Sequence, residues 1–374
     1  MMNIESAILA RYSECIQGRV EPPCCPVDYD KELLKIIPRE IVDRDYGCGD
    51  PSRYVQAGEV VLDLGSGSGK ICYMAAQLTG EKGRVIGIDM NDNMLALARK
   101  YQSEMAKVLG NDRIEFHKGY IQDLALDVAA METWLQDHPV NNAAALAALE
   151  AWKDEQRRQR PMIPDKSVDL VISNCVLNLV SDGQKRHMVE EIFRVVKPGG
   201  RIAISDIVSD EPVPQKLKED KLLWSGCISG AFTEQAMLEE FQRAGFQAVC
   251  YNKWSAEPWQ VLAGIEFRSV TITAIKGEDV ECLDQGHAVI YRGPFSYVRD
   301  DDGHEYPRGE RMAVCARTYR MLTETAPYRD AFIGISPAVA RQPRVWCAPA
   351  GTVRPVSATK GGSHVGDNSG SCCC

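Results

Sequence analysis

Short apolar runs alternate with stretches of helical spacing along most of this chain, the pattern of strands joined by crossover helices. Val60-Val61-Leu62-Asp63-Leu64 is too short for a helix and reads as a buried strand that ends in the alternating glycines Gly65, Gly67 and Gly69. Residues 70–79 fit a helix, and Val85-Ile86-Gly87-Ile88-Asp89 fits a second strand with a carboxylate at its C-terminal end. Met94, Leu97, Ala98 and Tyr101 make an apolar stripe that predicts one helix from Asn91 to Leu109. Ile114 to Gly119 and Ser167 to Asn174 give the third and fourth strands. A helix over Lys185–Val195 and the tight turn Lys197-Pro198-Gly199-Gly200 lead into a strand over Arg201–Asp206. Thr233 is placed to cap a helix over Glu234–Ala244.

Three stretches break this rhythm. Residues 1–39 read as an N-terminal extension, and Tyr46-Gly47-Cys48-Gly49-Asp50-Pro51 is too rich in glycine for a regular element. The segment 126–164 exceeds an ordinary crossover, and its alanine-rich and charged parts read as an inserted, solvent-facing helix. From about residue 260 the texture changes to short alternating runs such as Phe267–Ile275, Ala288–Tyr291 and Met312–Cys315. The expected organisation is an extension over 1–39, a doubly wound α/β domain over 40–255, and a smaller, mostly β domain of α+β type over 256–345. A glycine- and serine-rich tail over 346–374, ending Cys372-Cys373-Cys374, is expected to be disordered.

Strand, glycine turn, helix and strand ending in an acid together make a nucleoside site. Glycines allow the sharp turn and close approach of a ligand, and Asp89 can accept hydrogen bonds from a ribose diol. The dinucleotide fingerprint requires a third glycine three places after Gly67, where this chain has Lys70. Asp63 within the first strand disfavours a pyrophosphate and favours a cationic ligand. These features point to S-adenosylmethionine, with Asp63, Gly65, Gly67 and Gly69 around it and Asp89 and Met90 at the ribose. Ile121 and Asp123, after the third strand, fall where adenine would lie. The fourth strand delivers Asn174 and Cys175 to the end of the sheet where open α/β folds place ligands.

With 374 residues, 45% of them hydrophobic, the chain is long enough for two cores, and a net charge of −9 argues against a general nucleic-acid binder. The absence of an 18-residue apolar run or a basic, hydrophobic leader leads to the expectation of no membrane association and a cytoplasmic location. The fourteen cysteines are spread widely and include no CxxC pair, which favours free thiols over a disulfide scaffold or a zinc knuckle. Cys48, Cys72, Cys175 and Cys227 are placed to meet at the C-terminal end of the sheet, although 24, 103 and 52 residues separate them in turn. Cys72, in the first turn of its helix, is expected to feel the positive end of the helix dipole. Soft sulfur ligands on open loops suit a thiophilic centre. Cys250, Cys282, Cys315 and Cys347 have no comparable surroundings in the sequence.

Tyr46-Gly47-Cys48-Gly49, Asp63-Leu64-Gly65-Ser66-Gly67-Ser68-Gly69, Ile88-Asp89-Met90, Ser173-Asn174-Cys175-Val176-Leu177-Asn178-Leu179 and Gly226-Cys227-Ile228-Ser229-Gly230-Ala231 together resemble the arsenite S-adenosylmethionine methyltransferases, over about residues 40–345. The resemblance implies a class I Rossmann-like methyltransferase sheet and methyl transfer to trivalent arsenic that arrives as a thiol conjugate. It further implies As(III) ligation by Cys175 and Cys227, with Cys72 or an external thiol as third ligand. Cys48 and Cys72 match a redox pair, with glutathione or thioredoxin as reductant. The segment 126–164 and the cysteine-ending tail depart from the family's core pattern. Two other readings share part of these features. A methyltransferase of a small organic nucleophile would need an apolar pocket or a base in place of the thiols. A metalloid- or zinc-binding protein would show no turnover.

Overall fold

The computed structural model describes residues 4–16, 27–44, 46–337, 342–346 and 351–359. Chain contacts divide it into two compact units, 1–277 and 278–374. The expectations for Cys347 and for the terminal Cys372-Cys373-Cys374 lie outside the described residues.

The first unit opens with helix α1 (Ile4–Ile16) and the short helices α2 (Lys31–Leu34) and α3 (Arg39–Val42). Strand β1 (Val60–Leu64), helix α4 (Lys70–Thr79) and strand β2 (Arg84–Asp89) follow, as the hydrophobic pattern predicts. The stretch expected as one helix is two, α5 (Asp92–Lys100) and α6 (Gln102–Leu109). The break is at Tyr101, whose hydroxyl reaches across to Glu40 Oε2 at 2.5 Å. Asn91 caps α5 by accepting the amides of Asn93 and Met94.

After β3 (Ile114–Lys118), the long segment forms a pair of helices, α7 (Val128–Asp137) and α8 (Ala143–Gln159), and no residue of α8 is buried. Strand β4 (Val168–Asn174), helix α9 (Asp182–Val195) and strand β5 (Val196–Ser209) complete the parallel part. The expected Lys197–Gly200 turn is an irregularity inside β5, where the register against β4 shifts. Helices α10 (Gln215–Lys218) and α11 (Lys221–Ser225), strand β6 (Phe232–Thr233), helix α12 (Glu234–Arg243) and strands β7 (Phe246–Trp254), β8 (Gln260–Leu262) and β9 (Ile265–Lys276) end the unit. Thr233 caps α12 as expected, accepting the amide of Ala236.

These strands make one sheet in the order β3-β2-β1-β4-β5-β9-β7, parallel from β3 to β5, with β9 antiparallel to both β5 and β7. Leu62, Ile88, Val171 and Ile204 pack on one face of the sheet, while Val61, Ile71, Tyr73 and Ile172 pack on the other. Strands sheltered on both faces read as continuous apolar runs, which is why the sequence displays them so clearly. The order reverses at β1 and β4, whose C-terminal ends therefore open a crevice.

The expected domain boundary after residue 255 falls inside this sheet. Phe267–Ile275 looked like the start of a separate β domain, but β9 pairs with β5 along nine residue positions, and the division comes after Gly277. Alternation alone identifies a strand, not the sheet it joins.

The second unit is rich in short strands: β10 (Leu283–Asp284), β11 (Ala288–Tyr291), β12 (Tyr297–Arg299), β13 (Glu305–Pro307), β14 (Met312–Ala313), β15 (Phe332–Ile335) and β16 (Arg344–Val345). Strand β11 lies between β14 and β15, both antiparallel to it. One amphipathic helix, α13 (Ala316–Glu324), contributes Leu322 to a core of Val289, Tyr291, Tyr306 and Phe332.

Candidate active site

The crevice at the switch point holds a cavity of about 370 Å³, within the range of a nucleoside-sized ligand. Gly65 and Gly67 form its floor with positive φ of 71° and 53°, so the turn after β1 presents backbone rather than side chain. Asp89 ends β2 beside them. It accepts the amides of Gly67 at 2.9 Å and Asn91 at 2.8 Å, and desolvation by the surrounding protein still holds its carboxyl above the ordinary range. Met90 and Ile121 supply apolar wall, and Cys175 lines the opposite side.

Helix α1 closes this cavity. Ile8, Leu9 and Tyr12 face into it, and the helix is pinned from two sides. Arg11 donates to the Leu222 carbonyl at 2.7 Å and to Ser225 Oγ at 2.6 Å, while Asn91 Nδ2 donates to the Leu9 carbonyl and Ser13 Oγ. Part of what the sequence showed only as an extension is thus a wall of the site.

Three thiols meet beside the cavity. Cys48 Sγ, Cys175 Sγ and a carboxylate oxygen of Asp206 all lie within 4.8 Å of one another. Cys227 donates from its thiol to the Cys175 carbonyl at 3.1 Å, and the two thiols are near enough to bear on each other's ionisation. Each thiol is placed by a different device. Cys48 rides on a loop laid directly against the ends of β4 and β5: a Cβ on Gly47 would come within 2.1 Å of Asn174 Nδ2, and one on Gly49 within 2.4 Å of Ser205 Oγ. Glycine is therefore required on both sides of the cysteine. Cys175 and Cys227 occupy left-handed backbone, with φ of 63° and 62°. Such positions cost on the order of 1–3 kcal/mol each in a residue with a Cβ.

Asp206, fully buried at β5, ties these loops together. It accepts the Leu177 amide at 2.9 Å and the Asn178 side chain at 2.8 Å, and Asn178 in turn reaches the Ile207 and Cys227 carbonyls. Burial pushes the Asp206 carboxyl up to about 6, against the pull of its backbone donors. The neighbouring Cys227 thiol favours the Cys175 thiolate, but contact with Cys48 and burial outweigh it, and Cys175 is raised well above 9.0. Cys227 is raised likewise by its contact with Cys175 and by burial, with Tyr12 acting in the opposite direction. Burial and mutual contact thus favour the neutral form of Cys175 and Cys227.

Several expected residues take other places. Cys72 is fully buried on α4 in the hydrophobic interior, its thiol donating to Asp63 Oδ2 at 3.2 Å, so the structure brings Cys48 rather than Cys72 to the other two sulfurs. Asp63 is itself buried and does not line the cavity, nor does Gly69. Asn174 is occupied with the Cys48 loop: its Oδ1 accepts the amides of Cys48 and Gly49 at 2.9 and 3.1 Å, and its Nδ2 donates to the Gly49 carbonyl and Tyr29 hydroxyl. Asp123 is clamped by Arg157 of α8, Nη2 to Oδ2 at 2.9 Å, and also stands off the cavity. That pair gives the inserted helix a structural anchor that its charge pattern did not reveal. Tyr12 and Asp206 were not singled out from the sequence. Asp206 had a signal, an acid at the end of an otherwise apolar strand, whereas Tyr12 had none.

Among the described residues, no helix is long and apolar enough to cross a membrane. The family described as a methyltransferase domain matches residues 56–152 and 155–245, and a domain of unknown function matches residues 278–364. The chain is 33% identical to the arsenite methyltransferase of Aquipseudomonas alcaligenes over 321 residues, covering 81% of each chain. It is also 33% identical to the arsenite methyltransferase of Homo sapiens over 319 residues, 81% of this chain and 74% of that one. The crystal structure of an arsenic(III) S-adenosylmethionine methyltransferase from Chlamydomonas reinhardtii superposes with a TM-score of 0.56 at 28% identity, covering 85% of this chain and 99% of that one.

Proposed function

Because this chain belongs to the arsenite methyltransferase family, we propose that it methylates trivalent arsenic held by Cys48, Cys175 and Cys227, next to S-adenosylmethionine bound in the cavity after β1. The cofactor's residues fit: backbone at Gly65 and Gly67, apolar wall at Met90 and Ile121, and a carboxylate at Asp89 with no basic residue among those described hydrogen-bonded to it, suited to a ribose diol. When bound there, S-adenosylmethionine supplies an electrophilic methyl group to the arsenic lone pair.

The protein's own part is to load and orient the arsenic. Trivalent arsenic carried on three small thiols exchanges onto three cysteines, each of which hands its proton to the departing thiol. The result is a neutral arsenic tris-thiolate, which a buried site beside Asp206 tolerates. A zinc ion on the same three sulfurs would leave uncompensated negative charge there. No general base is needed at arsenic, whose lone pair carries no proton. What the chain contributes to rate is alignment, supported by Asn174 fixing the Cys48 loop and Asp206 fixing the other two loops.

Methylation formally removes two electrons from arsenic; two of the sulfurs that hold it return them by leaving arsenic joined as a disulfide, and one external thiol, losing its proton, takes the open position on the methylated As(III). Cys48, already against Cys175, is the thiol we assign to that disulfide, with glutathione or thioredoxin as the co-substrate that reopens it. Cys72 can join only if the start of α4 rearranges, since its thiol faces Asp63. The observation that carries the proposal is the convergence of three thiols, one of which, Cys175, lines the nucleoside-sized cavity. Incubation with arsenite, S-adenosylmethionine and glutathione should yield methylated arsenic, and Cys175→Ser should abolish it. Folded, cofactor-binding protein that makes no methylarsenical would overturn the assignment.

A further inference from the structure

Two further thiols meet in the second unit. Cys282, just before β10, and Cys315, the N-cap of α13, open onto one small cavity of about 60 Å³, close enough for each thiol to feel the other's charge. They are 33 residues apart in sequence, so nothing local announces the pair. Building on the arsenical chemistry proposed above, we propose that Cys282 and Cys315 form a second arsenical site, selective for monomethylated trivalent arsenic over the inorganic form.

The stoichiometry of sulfur sets that preference. Inorganic As(III) offers three exchangeable positions and asks for three thiolates, which the site in the first unit provides. Monomethyl As(III) offers two, because its third bond is to carbon and does not exchange. This cavity has two thiols and, among the described residues, no third. The rest of its wall includes Met312, Val314 and Trp346, surfaces suited to a methyl group. Exchange is balanced without any redox partner: CH3As(SR)2 and two cysteine thiols give CH3As bound to both cysteines plus two RSH, with both protons leaving on the released thiols.

The pair is also held in place. Cys315 is 4% exposed, and its sulfur accepts the Thr318 amide at 3.4 Å and lies 3.3 Å from Thr318 Oγ1. Cys282 is more accessible and gives an arriving conjugate its first point of exchange. Burial raises the Cys282 thiol, the neighbouring Cys315 raises it further, and Arg317 pulls the other way.

The test measures binding, so it does not depend on turnover. Full-length protein carrying Cys175→Ser and Cys227→Ser is treated with methylarsonous acid as its bis-glutathione conjugate, then pulsed with iodoacetamide, and the alkylation of each cysteine is read by peptide mass mapping. At ten times the dissociation constant, Cys282 and Cys315 should both be alkylated about tenfold more slowly. Cys315→Ser should remove the protection of Cys282. Serine is a good N-cap, so this variant keeps α13 intact. The tris-glutathione conjugate of arsenite should protect far less at the same concentration. Unchanged alkylation, equal protection by arsenite, or protection with a loss of two hydrogens and no added arsenic (a disulfide) would each overturn the proposal. Methylation measured on the unsubstituted chain tests the first site separately.

Discussion

The crevice at the ends of β4 and β5 and the interior beneath α4 both contain a cysteine beside a buried carboxylate, yet they differ in what the sulfur can do. In the crevice Cys175 has two sulfur neighbours and a cavity wall; in the interior Cys72 has Asp63 on one side and packed side chains on the others. Even Gly87 is fitted to Cys72, since a Cβ there would come within 2.8 Å of its sulfur. Nearness to a helix N-terminus is thus not enough to make a reactive thiol. The convergence of sulfurs here comes from where the loops after β4 and α11 end, and from backbone at Cys175 and Cys227 held in a conformation that only a surrounding structure sustains.

The largest expected effect lies on the crevice side. Cys175→Ser or Cys227→Ser should remove arsenite binding and cut methylation on the order of a thousandfold, the upper scale for losing a group that holds the reacting centre. Binding of S-adenosylhomocysteine should stay within about twofold, which equilibrium dialysis and calorimetry can check on the same samples. If Cys72→Ser instead produced this result, the contrast between the two regions would collapse.

Next comes the other wall of the crevice. Asp89→Ala should weaken S-adenosylhomocysteine binding by roughly tenfold to a hundredfold, the value of hydrogen bonds to a charged group, while leaving arsenite stoichiometry unchanged. Calorimetry that found no loss would move the ribose away from β2.

The rate of arsenite loading should climb with pH through neutrality and keep rising past 9.0, because Cys175 and Cys227 both titrate well above that value. A plateau below pH 8 in stopped-flow traces would contradict the burial of the cluster. The same shifts fix a sign for stability. Thiols whose pKa is raised in the folded state contribute in full below the ordinary thiol value, and that contribution is lost as pH rises above it. Urea midpoints of the arsenic-free chain should therefore fall in alkaline solution. Arsenic-loaded protein should resist this loss, since its sulfurs no longer titrate.

The smallest effect on arsenic belongs to the interior. Cys72→Ala should lower stability by about 1–2 kcal/mol, through a small void and a lost hydrogen bond to Asp63, and should leave arsenite affinity within about twofold. Urea unfolding and arsenite titration separate the two quantities.

The contrast also explains what could be read from the chain beforehand. The place of Gly65, Gly67 and Asp89 at the cavity was legible because a turn and a strand end are encoded locally, and the irregular loop of Cys48 because glycine stands on either side of it. Cys175 and Cys227 were legible through motif resemblance, since nothing local joins positions 52 apart. Cys72 was misplaced because a position in the first turn of a helix does not say which way its side chain faces. Asn174 and Asp123 were assigned to the ligand from their places after strands, but their hydrogen bonds go to the Cys48 loop and to Arg157. The role of α1 was hidden because the helix lies far along the chain from the elements it covers. The boundary at 277 was missed because β9 carries the same alternation as the strands of the second unit.

The number of sulfurs at arsenic tests the proposed trio directly. Arsenic X-ray absorption on Cys72→Ala protein, loaded with one equivalent of arsenite and freed of small thiols, should show three sulfur neighbours at arsenic, unchanged from the unsubstituted chain. Two sulfurs and an oxygen in that variant, against three sulfurs in the parent, would mean that Cys72 is the third ligand and that the crevice as described is not the arsenic site.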